Sequence, residues 1–86
     1  MSHASVEKTD IHSRRPRHRR EFGLAVRRRR DRPGWSQERL AEAADVHRNF
    51  VGLIERGEQN LSIDSMVRFA GAMGCSLAEI FADAGL

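Results

Sequence analysis

The chain has 86 residues, which allows one domain at most, because a domain usually takes roughly 100–200 residues. Its 15 Lys and Arg against 12 Asp and Glu give a net charge of +3, which admits a polyanionic partner. A single cysteine excludes an internal disulfide, and the longest uncharged stretch, Phe69 to Ala78, is about half of a membrane-spanning helix. The first residues lack the apolar run of a secretory signal, so a cytoplasmic protein without membrane attachment is predicted.

Charge is unevenly distributed along the chain. Residues 1–34 hold 11 basic and 4 acidic side chains (+7), whereas residues 35–86 hold 4 basic and 8 acidic ones (−4). Residues 1–20 contain too few apolar side chains to repay the entropy of ordering the backbone, so we expect a disordered basic tail. The tail ends in RRPRHRR, and three alternatives stay open for it: a sequence under little selection, a solubilising strip, or an arm lying along DNA. The remaining residues 21–86 are expected to form one folded domain.

Two predicted helices follow the tail. Apolar residues recur at helical spacing from Phe22, and Pro33-Gly34 ends that run by removing an amide donor and adding flexibility. Ser36 can cap a second, short helix whose apolar stripe reaches Ala44.

Three more helices complete the predicted fold. Residues 47–56 place apolar side chains on one face, and Ser62 opens a fourth helix that Gly74 closes. Ser76 and Glu79 match the S-x-x-E capping box at the start of a fifth helix. No alternating pattern indicates a strand, so the expected fold class is all-α with five helices.

The second and third helices are separated by a short turn, as in a helix-turn-helix. The sequence SQERLAEAADVHRNFVGLIERG, residues 36–57, closely resembles that motif in the Cro and lambda-repressor (xenobiotic-response-element) family of bacterial and phage DNA-binding proteins. Within that family the stretch HRNFVGLIERGEQNLSI looks most like the controller proteins of restriction-modification systems, which are homodimeric transcription regulators. The resemblance covers about residues 22–82 and implies a lambda-repressor-like domain. Asp45 stands where the family usually has Gly, so a left-handed backbone is expected there.

The resemblance also implies which residues touch DNA, because the second helix of the motif lies in the major groove with its first residues against base edges. The implied base-reading residues are His47, Arg48, Asn49, Gly52 and Leu53. The implied phosphate contacts are Gln37, Arg39, Arg56, Gln59 and Asn60. Arg48 is the strongest candidate, because a guanidinium can pair with guanine O6 and N7. His47 also occupies the N-cap position, and a weak helix cap is an equal alternative for it.

Two further sets of residues have expected structural roles. The family places an Arg near the end of its first helix against a Glu near the end of its third, and Arg30 and Glu55 match those positions. A folded part of about 65 residues is near the size at which one core is marginal, so we expect apolar surface between two subunits. The expected interface is the fifth helix, through Leu77, Ile80 and Phe81. Ile80 and Phe81 point about 100° apart, so one can close the core while the other reaches the partner.

The leading hypothesis is a sequence-specific DNA-binding transcriptional regulator, homodimeric on a roughly palindromic operator, of the restriction-modification controller kind. The alternative is an antitoxin-type protein-interaction module that binds DNA as an adjunct. The chain has no CxxC pair, HExxH motif, phosphate loop or nucleophile elbow, so we expect no enzyme, cofactor or metal site. The predicted partners are double-stranded DNA and a second copy of the chain, with no membrane and no small-molecule effector.

Overall fold

The described part of the chain, residues 15–86 of a computed structural model, consists of five α-helices joined by short turns. They are α1 (Arg17–Asp31), α2 (Gln37–Ala44), α3 (Arg48–Glu55), α4 (Ile63–Ala72) and α5 (Leu77–Ala84). The all-α, five-helix fold is therefore confirmed, whereas residues 1–14 of the predicted tail lie outside the described residues. Within residues 15–86, no helix combines the length and the apolar character needed to cross a membrane.

Helix α1 begins earlier than predicted. Residues 17–20 are helical, so the expectation that disorder extends to residue 20 is wrong for them. The carbonyl of Pro16 accepts hydrogen bonds from the amides of Arg19 and Arg20, which closes the first turn. The backbone of Arg20 lies so close to Gly57 that a Cβ there would stand 2.9 Å from the Arg20 Cα. Contact with the turn at Gly57, which is far away in the sequence, orders this charged segment. Residues 17–20 have no apolar side chain that would have predicted the contact.

All five helices contribute apolar side chains to one core. The largest fully buried side chains are Val26 of α1, Leu40 of α2, Val51 and Ile54 of α3, Phe69 of α4 and Ile80 of α5. Each such side chain contributes roughly 1.5–3 kcal/mol when removed from water. Helix α1 crosses α3 at Gly23, where a Cβ would stand 2.1 Å from the Ile54 carbonyl oxygen. Only glycine permits that close crossing, which sets α3 against the rest of the fold.

Local hydrogen bonds begin the helices where the sequence predicted. The side chains of Ser36, Ser62 and Ser76 each accept a hydrogen bond from a backbone amide in the first turn of the following helix. The capping box is complete, because the Ser76 amide donates to Glu79 Oε1 at 2.8 Å and the Glu79 amide donates to Ser76 Oγ at 3.1 Å. At the other end of α5, Arg29 of α1 pairs with Asp83 at 2.6 Å and ties the two helices together.

The predicted interface residues on α5 do not share one environment. Ile80 is 0% exposed and lies in the core, so its predicted role at a subunit interface is wrong. It belongs to the same buried apolar cluster as Phe69 and Leu40, because the packing of α5 on α1 and α4 turns that face inward. Leu77 and Phe81 are half-buried at the edge of that cluster and retain surface for a partner.

Candidate nucleic-acid interface

A buried ion pair lies beneath the start of α2 and the end of α3. Arg30 Nε donates to Glu55 Oε2 at 2.6 Å, and Arg30 Nη2 donates to Glu55 Oε1 at 3.0 Å. A third donor, Arg30 Nη1, reaches the Trp35 carbonyl oxygen at 2.7 Å. The hydrogen bond to Glu55 raises the pKa of Arg30 above its ordinary value. Because both charges are buried, loss of one partner would leave the other uncompensated, at a typical cost of about 3–5 kcal/mol.

The ion pair also orients Gln37, the first residue of α2. Gln37 Nε2 donates to Glu55 Oε1 at 3.0 Å. Since a carboxylate only accepts hydrogen bonds, this contact determines which end of the amide faces Glu55. Gln37 Oε1 is then turned toward Gly52 of α3, where a Cβ would lie 3.8 Å away. The buried pair thus positions a polar side chain at the surface between the two helices.

A groove, called here the α2–α3 groove, opens between the first turns of these helices. Its lining residues are Ser36, Gln37, Glu38, Arg48, Asn49, Gly52, Leu53 and Arg56. Six of these eight residues belong to the sets predicted to contact DNA. Packing of α2 on α3 brings together residues separated by up to 20 positions in the chain.

The α2–α3 groove presents hydrogen-bond donors to solvent. Arg48 and Asn49 are exposed, and the Arg48 side chain has no hydrogen bond or ion pair with another described residue. Gly52 is buried at the base of the groove, where a Cβ would stand 3.1 Å from Arg56 Nη1. Glycine therefore leaves room for the Arg56 guanidinium to lie across α3. Leu53 adds a half-buried apolar surface beside these polar groups.

His47 caps α3 and remains exposed. Its Nδ1 accepts a hydrogen bond from the Asn49 amide at 3.1 Å, as the cap alternative predicted. In the neutral imidazole the hydrogen then resides on Nε2, so the outward nitrogen is a donor. A donor at this point fits a phosphate oxygen or the acceptors of guanine, and capping and DNA contact are compatible for this residue.

The remaining predicted contacts lie away from the α2–α3 groove. The Arg39 guanidinium lies 4.7 Å from the centroid of the Trp35 ring, in a cation–π contact. Gln59 and Asn60 line a second groove and lie apart from the first. Sequence reasoning omitted Glu38, a carboxylate in the lining of the first groove. Its position directly after Gln37, in the first turn of α2, is the feature of the sequence that could have predicted it.

The second groove, called here the α1–α5 groove, is largely apolar. It is lined by His18, Arg19, Phe22, Gln59, Asn60, Leu61, Met66, Phe81 and Leu86. The rings of Phe22 and Phe81 meet edge to face, with centroids 5.9 Å apart. An exposed apolar groove of this kind is typical of a surface that a partner covers.

Two other groups bear on the chemistry of the fold. Burial raises the pKa of the Cys75 thiol, which disfavours a reactive thiolate there. Within residues 15–86, no group of His, Cys, Asp and Glu side chains is arranged to hold a metal ion.

This chain is similar in sequence and in fold to several known proteins. The sequence profile of the helix-turn-helix family matches residues 26–80. Control protein C.BamHI from Bacillus amyloliquefaciens is 41% identical over 54 residues, which are 62% of this chain and 67% of that protein. The crystal structure of the restriction-modification controller protein C.AhdI from Aeromonas hydrophila is similar with a TM-score of 0.70 and 35% identity, over 72% of this chain and 94% of that one. The clp gene regulator ClgR from C. glutamicum has a TM-score of 0.75 and 29% identity, over 79% of this chain and 88% of its own.

Proposed function

Because this chain belongs to the helix-turn-helix family and is a DNA-binding transcription regulator, we propose that it acts as a homodimer on a roughly palindromic operator. In each half-site, α3 lies in the major groove with its first turn against the base edges. The strongest support is the α2–α3 groove, which gathers six of the residues predicted to contact DNA on one exposed surface.

The side chains that contact the base edges lie in the first two turns of α3. Arg48 is exposed and has no hydrogen-bond or ion-pair partner among residues 15–86, so it can pair with guanine O6 and N7, and Asn49 pairs with adenine N6 and N7. Leu53 contacts a thymine methyl group, and His47 donates from Nε2. Gly52 takes part by its lack of a side chain, since it lets α3 approach DNA beside Arg56.

Phosphate contacts surround this centre. Gln37, held by Glu55, and Arg56, lying across Gly52, are positioned at the α2–α3 groove itself. Arg39, Gln59 and Asn60 are the outer phosphate contacts. Such contacts set the register of the protein on the duplex and carry no direct sequence information.

The α1–α5 groove is the proposed dimer interface, occupied by a second copy of the chain. Phe81 is half-buried there against Phe22, and Met66 and Leu86 extend the apolar surface. Leu77, about one helical turn before Phe81 on α5, is also half-buried. A two-fold axis at this groove places one α3 on each half-site, with half-sites about one DNA turn apart. Residues 15–86 then form the binding and dimerisation domain, preceded by residues 1–14.

Among possible regulons, a restriction-modification system has the best support. C.BamHI is named a control protein and C.AhdI a restriction-modification controller protein, and both resemble this chain over most of its folded part. A methyltransferase gene and an endonuclease gene beside this one would support the assignment. A toxin gene in that place would contradict it.

The test of base reading is Arg48→Ala against a matched control, Arg68→Ala. Arg68 is exposed on α4 and lines neither groove. An operator is first selected from random duplexes, and affinities for it and for a scrambled duplex are then compared. Arg48→Ala should reduce the ratio of the two affinities about 5- to 150-fold, the equivalent of roughly 1–3 kcal/mol for a bidentate base contact. Arg68→Ala should leave the ratio unchanged. An unchanged ratio in both variants would exclude Arg48 as a base reader, and a wild-type protein that selects no sequence would refute the proposed function.

A further inference from the structure

Glu58 lies directly after the turn that ends α3 and contacts two arginines at once. Its Oε2 atom is 3.4 Å from Arg56 Nε and 3.3 Å from Arg15 Nη2. Arg56 lines the α2–α3 groove, whereas Arg15 precedes the first residue of α1. One carboxylate oxygen therefore joins the edge of the groove to the basic start of the described chain.

The position of Arg15 is set by the fold. Arg20 Nη1 donates a hydrogen bond to the Arg15 carbonyl oxygen, and the Arg20 backbone rests on Gly57. The chain thus passes beside the end of α3, and Arg15 continues the basic edge formed by Arg56. Arg17, the next arginine, is also exposed.

The two guanidinium groups remain accessible to another anion. The Arg15 and Arg56 side chains are 50% and 56% exposed, whereas Glu58 is 32% exposed. Ion pairs this exposed contribute little to stability, because water screens them and ordering long side chains costs entropy. A DNA phosphate is likewise an anion and accepts hydrogen bonds from guanidinium groups, so it can replace Glu58 with little loss to the fold.

We propose that Arg15 and Arg56 form a phosphate-binding surface flanking the α2–α3 groove, and that Glu58 is its internal counter-ion, displaced by the DNA backbone. This inference rests on the proposed function, because it places the duplex across the groove. In the free protein Glu58 competes with phosphate for both arginines and so weakens binding to every duplex alike. The surface adds affinity and leaves sequence preference to α3.

The main test is Glu58→Gln, which keeps the size of the side chain and removes its charge. Affinities for the selected operator and for a scrambled duplex should both rise, by about 3- to 10-fold at low salt, because the competitor is gone while the ratio between duplexes stays the same. The matched control is Glu42→Gln, which removes one charge from an exposed position on α2 outside both grooves. The control should change affinity much less. Equal effects of the two variants would overturn the inference.

Arg15→Ala removes one of the two arginines that Glu58 contacts and leaves the sequence of α3 unchanged. It should weaken binding to both duplexes and reduce the slope of log affinity against log salt by about 1, the value of one phosphate contact. In the Arg15→Ala background, Glu58→Gln should produce a smaller gain, since one of the two arginines it releases is absent. Circular dichroism verifies that each variant is folded.

The outcomes separate this inference from the function on which it rests. A wild-type protein without sequence preference refutes the proposed function and the inference with it. Sequence preference that depends on Arg48, together with an unchanged salt slope in Arg15→Ala, overturns only the inference. A lower melting temperature in Glu58→Gln without a gain in affinity would also overturn it, because the carboxylate would then be a structural brace alone.

Discussion

Asp45, in the turn between α2 and α3, adopts a backbone conformation that L-residues rarely occupy. Its φ and ψ are 57° and 50°, and among the described residues it is the one non-glycine with positive φ. The Asp45 amide donates to the Glu42 carbonyl at 3.2 Å, and the Val46 amide donates to the Ala41 carbonyl at 2.9 Å. These two bonds form a Schellman motif, which commonly has glycine at the left-handed position. The left-handed turn predicted from the resemblance is confirmed. Because Asp45 has a Cβ, this turn carries a steric cost that glycine would avoid.

Asp45→Gly should therefore raise the free energy of unfolding by about 0.5–1 kcal/mol, because relief of the left-handed strain exceeds the added entropy of the unfolded chain. In a domain this small, that gain corresponds to a melting temperature higher by roughly 2–8 °C. Asp45→Ala should lower the melting temperature, because alanine keeps the Cβ and loses the polar group. Thermal unfolding followed by circular dichroism measures both. Equal shifts of the two variants in the same direction would contradict this explanation.

Among the helices, α5 is the one whose start depends most clearly on a titratable group. Its capping box joins the Ser76 amide to the Glu79 carboxylate and the Glu79 amide to the Ser76 hydroxyl. The hydrogen bond from the Ser76 backbone amide is the main cause that lowers the pKa of Glu79 below its ordinary value. A negative charge in the first turn also interacts favourably with the helix dipole.

The stability that Glu79 adds should depend on pH. Since its pKa is lower in the folded state, this contribution is fully present above the ordinary glutamate pKa of about 4.3 and is lost as the pH falls through the folded value. Glu79→Gln should melt at a lower temperature than the wild type near neutral pH, and the two curves should converge in acid. Melting temperatures measured across the acidic range test this. A gap of constant size at every pH would assign the effect to shape and not to charge.

At the scale of the whole molecule, the proposed function depends on two copies of α3 held at a fixed spacing. The α1–α5 groove offers apolar surface for that contact through Phe81, which is half-buried, whereas Ile80 is already buried within one chain. Another exposed apolar residue, Val67 on α4, lies outside the groove with 55% of its surface accessible. These two sites allow the interface to be located by matched substitutions.

Phe81→Glu should produce a folded monomer that has lost operator binding, because a charge in the groove opposes burial against a second copy. Val67→Glu should leave the dimer and its affinity intact. Sedimentation gives the mass, and circular dichroism verifies the helices. Should Phe81→Glu lose helicity, Leu86→Glu at the exposed rim of the same groove replaces it in the test. Full-strength dimers from the groove variants, or a monomer from Val67→Glu alone, would place the interface elsewhere.

The sequence predicted best what depends on neighbouring residues. The caps at Ser36, Ser62 and Ser76 each join groups three residues apart, so the pattern that signals them also forms the bond. The apolar spacing along α1, α2 and α3 likewise predicted which of their faces would be buried. For the candidate site, the resemblance named Arg48 and Asn49, and the exposed first turn of α3 carries both.

What the sequence left open depends on groups far apart in the chain. The hydrogen bond that orients Gln37 comes from Glu55, and the contact that orders residues 17–20 comes from Gly57. Local pattern could place Ile80 and Phe81 on different faces, but the packing of α5 on α1 and α4 decided that Ile80 belongs to the core. Helix positions and caps follow from short-range bonding and hydrophobic periodicity. The groove, the shared counter-ion at Glu58 and the exposed part of α5 exist only once the helices pack, because packing alone brings those side chains together.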